Sequence, residues 1–114
     1  MQNAFAAAVA LYRLAAAQNL DAAQCSLGFM YDQGDGVAQD DDEALRFYQL
    51  AAAQGHPVAL FCVGVFHEYG LGIRETKAEA IRWYRRAQAA GDSDAARALP
   101  RLLARVHSHT HASS

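Results

Sequence analysis

The chain has 114 residues, 53% of them hydrophobic and 19% charged, which suits one compact domain or about three repeat units sharing a core and excludes wholesale disorder. Ten basic against twelve acidic residues give a net charge of −2, without the basic excess that nucleic-acid binding draws on, so no nucleic-acid partner is expected. Alanine, the strongest helix former, occurs 26 times, so the composition leans to helix.

Ala4 to Ala17 is apolar but has neither a basic leader nor a separate cleavage region, so it reads as a helix and not as a signal peptide. Arg13, Gln18 and Asn19 interrupt it well short of the roughly 18 apolar residues of a membrane span. The expectation is a soluble chain without membrane insertion, with the cytoplasm favoured.

Next comes a helix from about Asp21 to Asp32, then Gly34-Asp35-Gly36, whose glycines supply the positive backbone angles that end a helix. A second helix runs from about Asp41 to Gln54. Its start is marked by Asp40, whose side chain can accept from exposed amides, with Glu43 three residues on to complete a capping box. The pattern then recurs. A helix from about Pro57 to Glu68 leads to Gly70-Leu71-Gly72, and Thr76 with Glu79 opens a helix from Lys77 to Ala89. Gly55 and Gly91 suit positions just past a helix end, and Pro57 suits the first turn of the next helix.

The recurrence has a period of 36. Leu14 to Gln18 read LAAAQ, Leu50 to Gln54 read LAAAQ again, and Arg86 to Ala90 read RAQAA. Tyr12, Tyr48 and Tyr84 share the offset, as do Ala23, Ala59 and Ala95, Gly28 and Gly64, and Glu43 and Glu79. Residues 9–44 and 45–80 agree at 12 of 36 positions without a gap, concentrated at glycine, alanine and aromatic positions where one geometry demands one residue type. Small residues at Ala23, Gly28, Ala44, Ala51 and Ala52 let helices approach closely, while Leu27, Phe47, Tyr48, Val63, Trp83 and Tyr84 fill the space between them.

On these residues the chain resembles the Sel1-like repeat family. The first full unit carries its pattern at Ala23, Leu27, Gly28, Tyr31, Gly34, Gly36, Val37, Ala44, Phe47, Tyr48, Ala51, Ala52 and Gly55. The second carries it at Ala59, Val63, Gly64, Gly70, Gly72, Ile73, Ala80, Trp83, Tyr84, Ala87 and Gly91, with His67 at the tyrosine position. The resemblance implies an all-α fold, an α/α superhelical solenoid of Sel1-like helix-turn-helix repeats related to tetratricopeptide repeats. It also implies the role of a protein-binding scaffold or adaptor.

The expected organisation is an incomplete first repeat over 1–19 holding only the second helix, full repeats over 20–55 and 56–91, a partial repeat or capping helix over 92–106, and a flexible tail over 107–114. Two departures from the pattern stand out. The missing first helix is expected to leave an apolar edge bearing Phe5, Val9 and Tyr12, which makes a homo-oligomer a second expectation. Pro100 falls where Gly28 and Gly64 stand, and proline in a helix interior removes a hydrogen bond, so the last repeat is expected to kink or break there.

The candidate chemistry is sparse. Asp40-Asp41-Asp42-Glu43, with Asp32 and Asp35, fits calcium-loop spacing only at its ends, Asp32 and Glu43, so the acids read as favourable charges at a helix start. His107, His109 and His111 could collect a metal but read as a polar tail. Cys25 and Cys62 form no Cys-x-x-Cys pair and read as buried apolar residues. His67 reads as a packed replacement for tyrosine. Arg82, Arg85, Arg86, Arg97, Arg101 and Arg105 tilt the last third basic, which suits an acidic partner surface or a solvated helix face.

No catalytic site, cofactor or metal is therefore expected. A hydrolase acting on cell-wall or antibiotic-like substrates, a role attributed to some relatives, would need a nucleophile and base that the sequence does not supply. The expected partner is a protein or peptide lying in a groove lined by the first helix of each unit, with Gln24, Asp32, Leu60, Phe61, Val65, Glu68 and Tyr69 as its contacts.

Overall fold

The computed structural model describes residues 4–112, and each secondary-structure element among them is an α-helix. They are α1 (Ala4–Ala17), α2 (Asp21–Gln33), α3 (Asp41–Ala53), α4 (Pro57–Tyr69), α5 (Lys77–Ala89) and α6 (Ser93–Ala112). Each packs chiefly on its neighbours in sequence, giving an elongated body of 59 × 26 × 19 Å. In the 36-residue register, α2, α4 and α6 are the first helices of successive units (A helices) and α1, α3 and α5 the second (B helices).

The repeat dictates the packing. A Cβ placed on Gly28 would lie 2.6 Å from the ring of Tyr48, and one on Gly64 would lie 2.6 Å from the ring of Tyr84. Only glycine lets the A helix approach the B-helix tyrosine so closely. Tyr48 and Tyr84 are fully buried, as are Leu27, Val63 and Leu102, each contributing about 1.5–3 kcal/mol through apolar area removed from water. Around Tyr48 the core is α3 against α4, with Ala44, Ala51, Ala59, Val63 and Phe66, and around Tyr84 it is α5 against α6, with Ala80, Leu99 and Leu102.

The corners follow the expected residues but not always the expected bonds. Gly34 and Gly70 take left-handed angles, and their amides donate to the Met30 and Phe66 carbonyls, ending α2 and α4. The Asp40 carboxylate accepts from the amides of Asp42 and Glu43, at 3.0 and 3.2 Å. The reciprocal half of the capping box is not made. The Asp40 amide donates instead to the Tyr31 carbonyl at 3.0 Å and the Thr76 amide to the His67 carbonyl at 2.9 Å, so these donors already close the A helix behind them. That frees Glu43 and Glu79 to pair with Arg46 and Arg82, each at 2.9 Å. Thr76 does not cap α5, because its hydroxyl donates to the Arg74 carbonyl. Asp92, which the sequence reading passed over, caps α6 by accepting from Ala95 at 2.9 Å.

Three expectations about the ends need correction. Helix α6 runs unbroken through Pro100. Pro100 and Ala96, the residue whose carbonyl the missing N–H would have bonded, are both exposed, so water can take that carbonyl's lone pairs. The same helix continues past 106 to Ala112, while 113–114 and the side chains of His109 and His111 lie outside the described residues. At the other end Phe5, Leu11, Tyr12 and Leu14 are exposed on α1, but Val9 is buried.

Candidate functional site

The A helices present one face to solvent, and an apolar trough of about 400 Å³ opens on it where α2, α1 and the start of α4 meet. Helix α2 lines it with Ala22, Cys25, Ser26, Phe29 and Met30, α1 adds Tyr12, and α4 adds His56 and Val58. Positions 22, 25, 26 and 29 recur at helical spacing, so one stripe of α2 forms the floor. Phe29 is 50% exposed and Val58 40%, large apolar groups that the fold leaves in water. The His56 imidazole faces inward along the chain as the cap of α4, its Nδ1 accepting from the Ala59 amide at 3.3 Å.

None of the seven residues expected to make contacts lines this trough. Gln24, Leu60 and Glu68 are buried and have no surface to offer. Gln24 belongs to a polar corner, donating to Asn19 Oδ1 at 3.2 Å and accepting from Gln54 Nε2 at 2.9 Å, while Asn19 takes a left-handed angle where Gly55 and Gly91 stand in later units. Leu60 is core. Phe61 is partly buried, stacked on Tyr84 with ring centres 5.5 Å apart, and Val65 is partly buried against the same α5–α6 cluster. Asp32 is half-buried and accepts from the Tyr48 hydroxyl at 3.3 Å. Burial raises its carboxyl above the usual range, the Tyr48 hydrogen bond opposing this. Tyr69 stands 48% exposed, with Lys77 Nζ 5.9 Å from its ring centre.

Glu68 is the most unusual of these residues. It is fully buried, accepts from the Tyr84 hydroxyl at 2.6 Å, and is approached by Arg101 at 3.4 Å and Arg105 at 3.3 Å. The Asp32–Tyr48 contact is the same interaction one unit earlier. Burial pushes both tyrosine hydroxyls far above their usual range, so they stay neutral donors.

The remaining candidates resolve into structural parts. Tyr31 and Phe47 stack with ring centres 5.7 Å apart, and His67 and Trp83 repeat that stack at 6.3 Å, so His67 fills a tyrosine position. Its Nδ1 is buried without a hydrogen-bond partner, and desolvation lowers its pKa, with Glu79 opposing. The thiols are free and buried, and desolvation raises Cys25 to about 11 and Cys62 to about 12, far from a reactive thiolate. Among the described residues no group of three or more His, Cys, Asp or Glu could hold a metal ion, and no helix is long and apolar enough to cross a membrane. In the basic third, Arg97 pairs with Asp94 and Arg86 lies 4.6 Å from the Trp83 ring centre.

Sequence reasoning set Tyr12 on the exposed apolar edge but missed Phe29, Met30 and Val58. A signal was present, because Ala22, Phe29, Val58 and Val65 occupy two of the A-helix positions that the repeat pattern leaves open, yet three of the four are large and apolar.

Comparison with known proteins agrees with this architecture. The Sel1 repeat family matches three successive stretches, residues 2–20, 21–56 and 57–92. A Sel1 repeat protein from Oxalobacter formigenes superposes with a TM-score of 0.77 at 38% identity, over 80% of this chain and 37% of that one. A protective antigen present in uropathogenic Escherichia coli strains, displaying an SLR fold, gives 0.77 at 34% identity over 79% of this chain and 19% of that one. The chain thus spans well under half the length of either protein. Helicobacter pylori cysteine-rich protein B shares the fold alone, with a TM-score of 0.73 at 22% identity over 77% of this chain and 66% of that one. No curated protein matches. With three consecutive units matched, this chain belongs to the Sel1 repeat family.

Proposed function

We propose that the chain is a protein-interaction scaffold that binds a segment of a partner protein across the face formed by its A helices. Sel1 repeat proteins generally mediate protein–protein interaction and typically act as non-enzymatic scaffolds. The observation that carries the reading is the trough, where Phe29 and Val58 remain half in water beside Tyr12 and Met30 on a rigid floor. An apolar side chain seated there would gain burial at little ordering cost, because the walls are helices held by the core. Asp32, Val65 and Tyr69, with Phe61 at its rim, extend the proposed face, while Gln24, Leu60 and Glu68 support it from beneath.

The test is a selection of random peptides displayed against the intact chain, followed by titration of those enriched. Val58→Asp, which places an acid in the first turn of α4 where the helix dipole favours it, should leave the fold intact and weaken binding by at least about tenfold. Unchanged affinity in that variant, with the far-ultraviolet spectrum preserved, would remove the trough from the binding surface.

A second reading is self-association through α1, favoured by the exposure of Phe5, Leu11 and Leu14 at 52%, 68% and 66%. Sedimentation that shows only monomer at high micromolar concentration would eliminate it.

A further inference from the structure

Two arginines on one helix turn onto a single buried carboxylate. Arg101 and Arg105 stand four residues apart on α6, neighbours on its surface, and each places one guanidinium nitrogen on Glu68 of α4, at 3.4 and 3.3 Å. Glu68 already accepts from Tyr84 at 2.6 Å. One guanidinium neutralises one carboxylate, so the second leaves a surplus positive charge at the edge of a dry interior, where charge is least screened. Neither arginine is consumed. Their side chains are 53% and 54% exposed, each has five N–H donors, and among the described residues no carboxylate other than Glu68 lies within 4 Å of either. Lys77 stands nearby, donating to the Glu68 carbonyl at 3.0 Å, but its charge is matched by Glu75 at 3.4 Å.

The repeat pattern does not call for arginine at these positions. One unit earlier Asp32 and Tyr48 make the same contact, and the residues 36 before Arg101 and Arg105 are Val65 and Tyr69, on the proposed binding face.

We propose that Arg101 and Arg105 form a fork that takes an aspartate or glutamate side chain of the partner segment whose apolar residue sits in the trough. This rests on the partner-binding reading of the A-helix face. Guanidinium pairs match carboxylate geometry with parallel charge-assisted bonds. Because the face runs across α2, α4 and α6, a bound chain crosses it and continues, which favours a side-chain carboxylate over a terminal one. Val58 and Glu68 lie ten residues apart on α4, about 15 Å along the helix axis, so the acid should follow or precede the apolar anchor by about five extended residues or more.

The experiment uses random peptides displayed on the intact chain through their C-termini, so that none has a free terminal carboxylate. Enriched sequences are then titrated as C-terminal amides. The expected result is an acidic residue at that spacing from a large apolar one, with about tenfold weaker binding for Arg101→Gln or Arg105→Gln, either of which leaves one arginine on Glu68. The triple variant Glu68→Gln, Arg101→Gln, Arg105→Gln removes the buried charge with its partners and keeps an acceptor for Tyr84, so folding is preserved. Against it, changing the peptide acid to its amide should cost nothing further. Enriched peptides without an acid, binding only by free acids, or full affinity for the triple variant would overturn the fork. If Val58→Asp weakens binding while the arginine variants do not, the fork falls and the trough stands. If no peptide is enriched, both fall.

Discussion

The Tyr84 hydroxyl meets the Glu68 carboxylate at 2.6 Å across the α4–α5 interface, while the ring of the same tyrosine lies against Gly64 one turn earlier. The pair couples the polar chemistry of the A-helix C-terminus to the packing of the repeat. Tyr84→Phe should therefore destabilise the fold by about 2 kcal/mol, since it takes the shortest hydrogen bond from a fully buried charge. Tyr48→Phe should cost about 1 kcal/mol or less, because half-buried Asp32 can turn to water. Urea unfolding of the two variants side by side checks the order.

Glycine at 64 is required for space and glycine at 55 for backbone angle. Gly64→Ala pushes a methyl to 2.6 Å from the Tyr84 ring and should cost roughly 2–3 kcal/mol, as overpacking of a tight interface does. Gly55→Ala meets nothing within 4 Å but keeps φ at +82°, so it should cost only about 1 kcal/mol. Thermal melts of both variants separate the two causes.

Acid should weaken the fold through His67. Burial holds its imidazole neutral in the folded chain below the usual value of 6.5, whereas the unfolded chain takes up a proton there. Stability is then full above about 6.5 and is lost as the pH falls from that value towards the lower folded one. His67→Phe keeps the stack on Trp83, removes the unpartnered Nδ1, and should flatten the stability profile in that window. Urea midpoints at about pH 7.5 and about pH 5.5 for the two proteins provide the measurement.

Both thiols should resist alkylation in the native state. With Cys25 at about 11 and Cys62 at about 12, on the order of 0.1% or less of either is thiolate at about pH 8. Iodoacetamide should modify the folded chain slowly and label both cysteines rapidly in urea, as followed by mass spectrometry. Rapid native labelling of Cys25 would mean that the trough floor opens.

Much of this architecture was legible because it is local. The 36-residue period, the helix-ending glycines and the Pro57 start each act within a few residues, and their repetition confirmed them within the chain itself. The limits of α2 to α5 derived from them match the structure to within one residue. The capping boxes failed for a non-local reason: the Asp40 and Thr76 amides were taken by carbonyls nine residues back, Tyr31 and His67.

The contact residues were less legible. Gln24, Leu60, Phe61, Val65 and Glu68 do lie on A helices, but a place on an A helix does not report which side of it faces water. Sequence alone determined that this is a helical Sel1-type array, because spacing and turn chemistry suffice for repeated corners. The tertiary structure decided that Leu60 is core while Val58 is surface, that Val65 is partly buried against the α5–α6 cluster, and that Glu68 meets arginines 33 and 37 residues away. Those outcomes depend on the rotation of each unit against the next, which is set by side chains packing across helices.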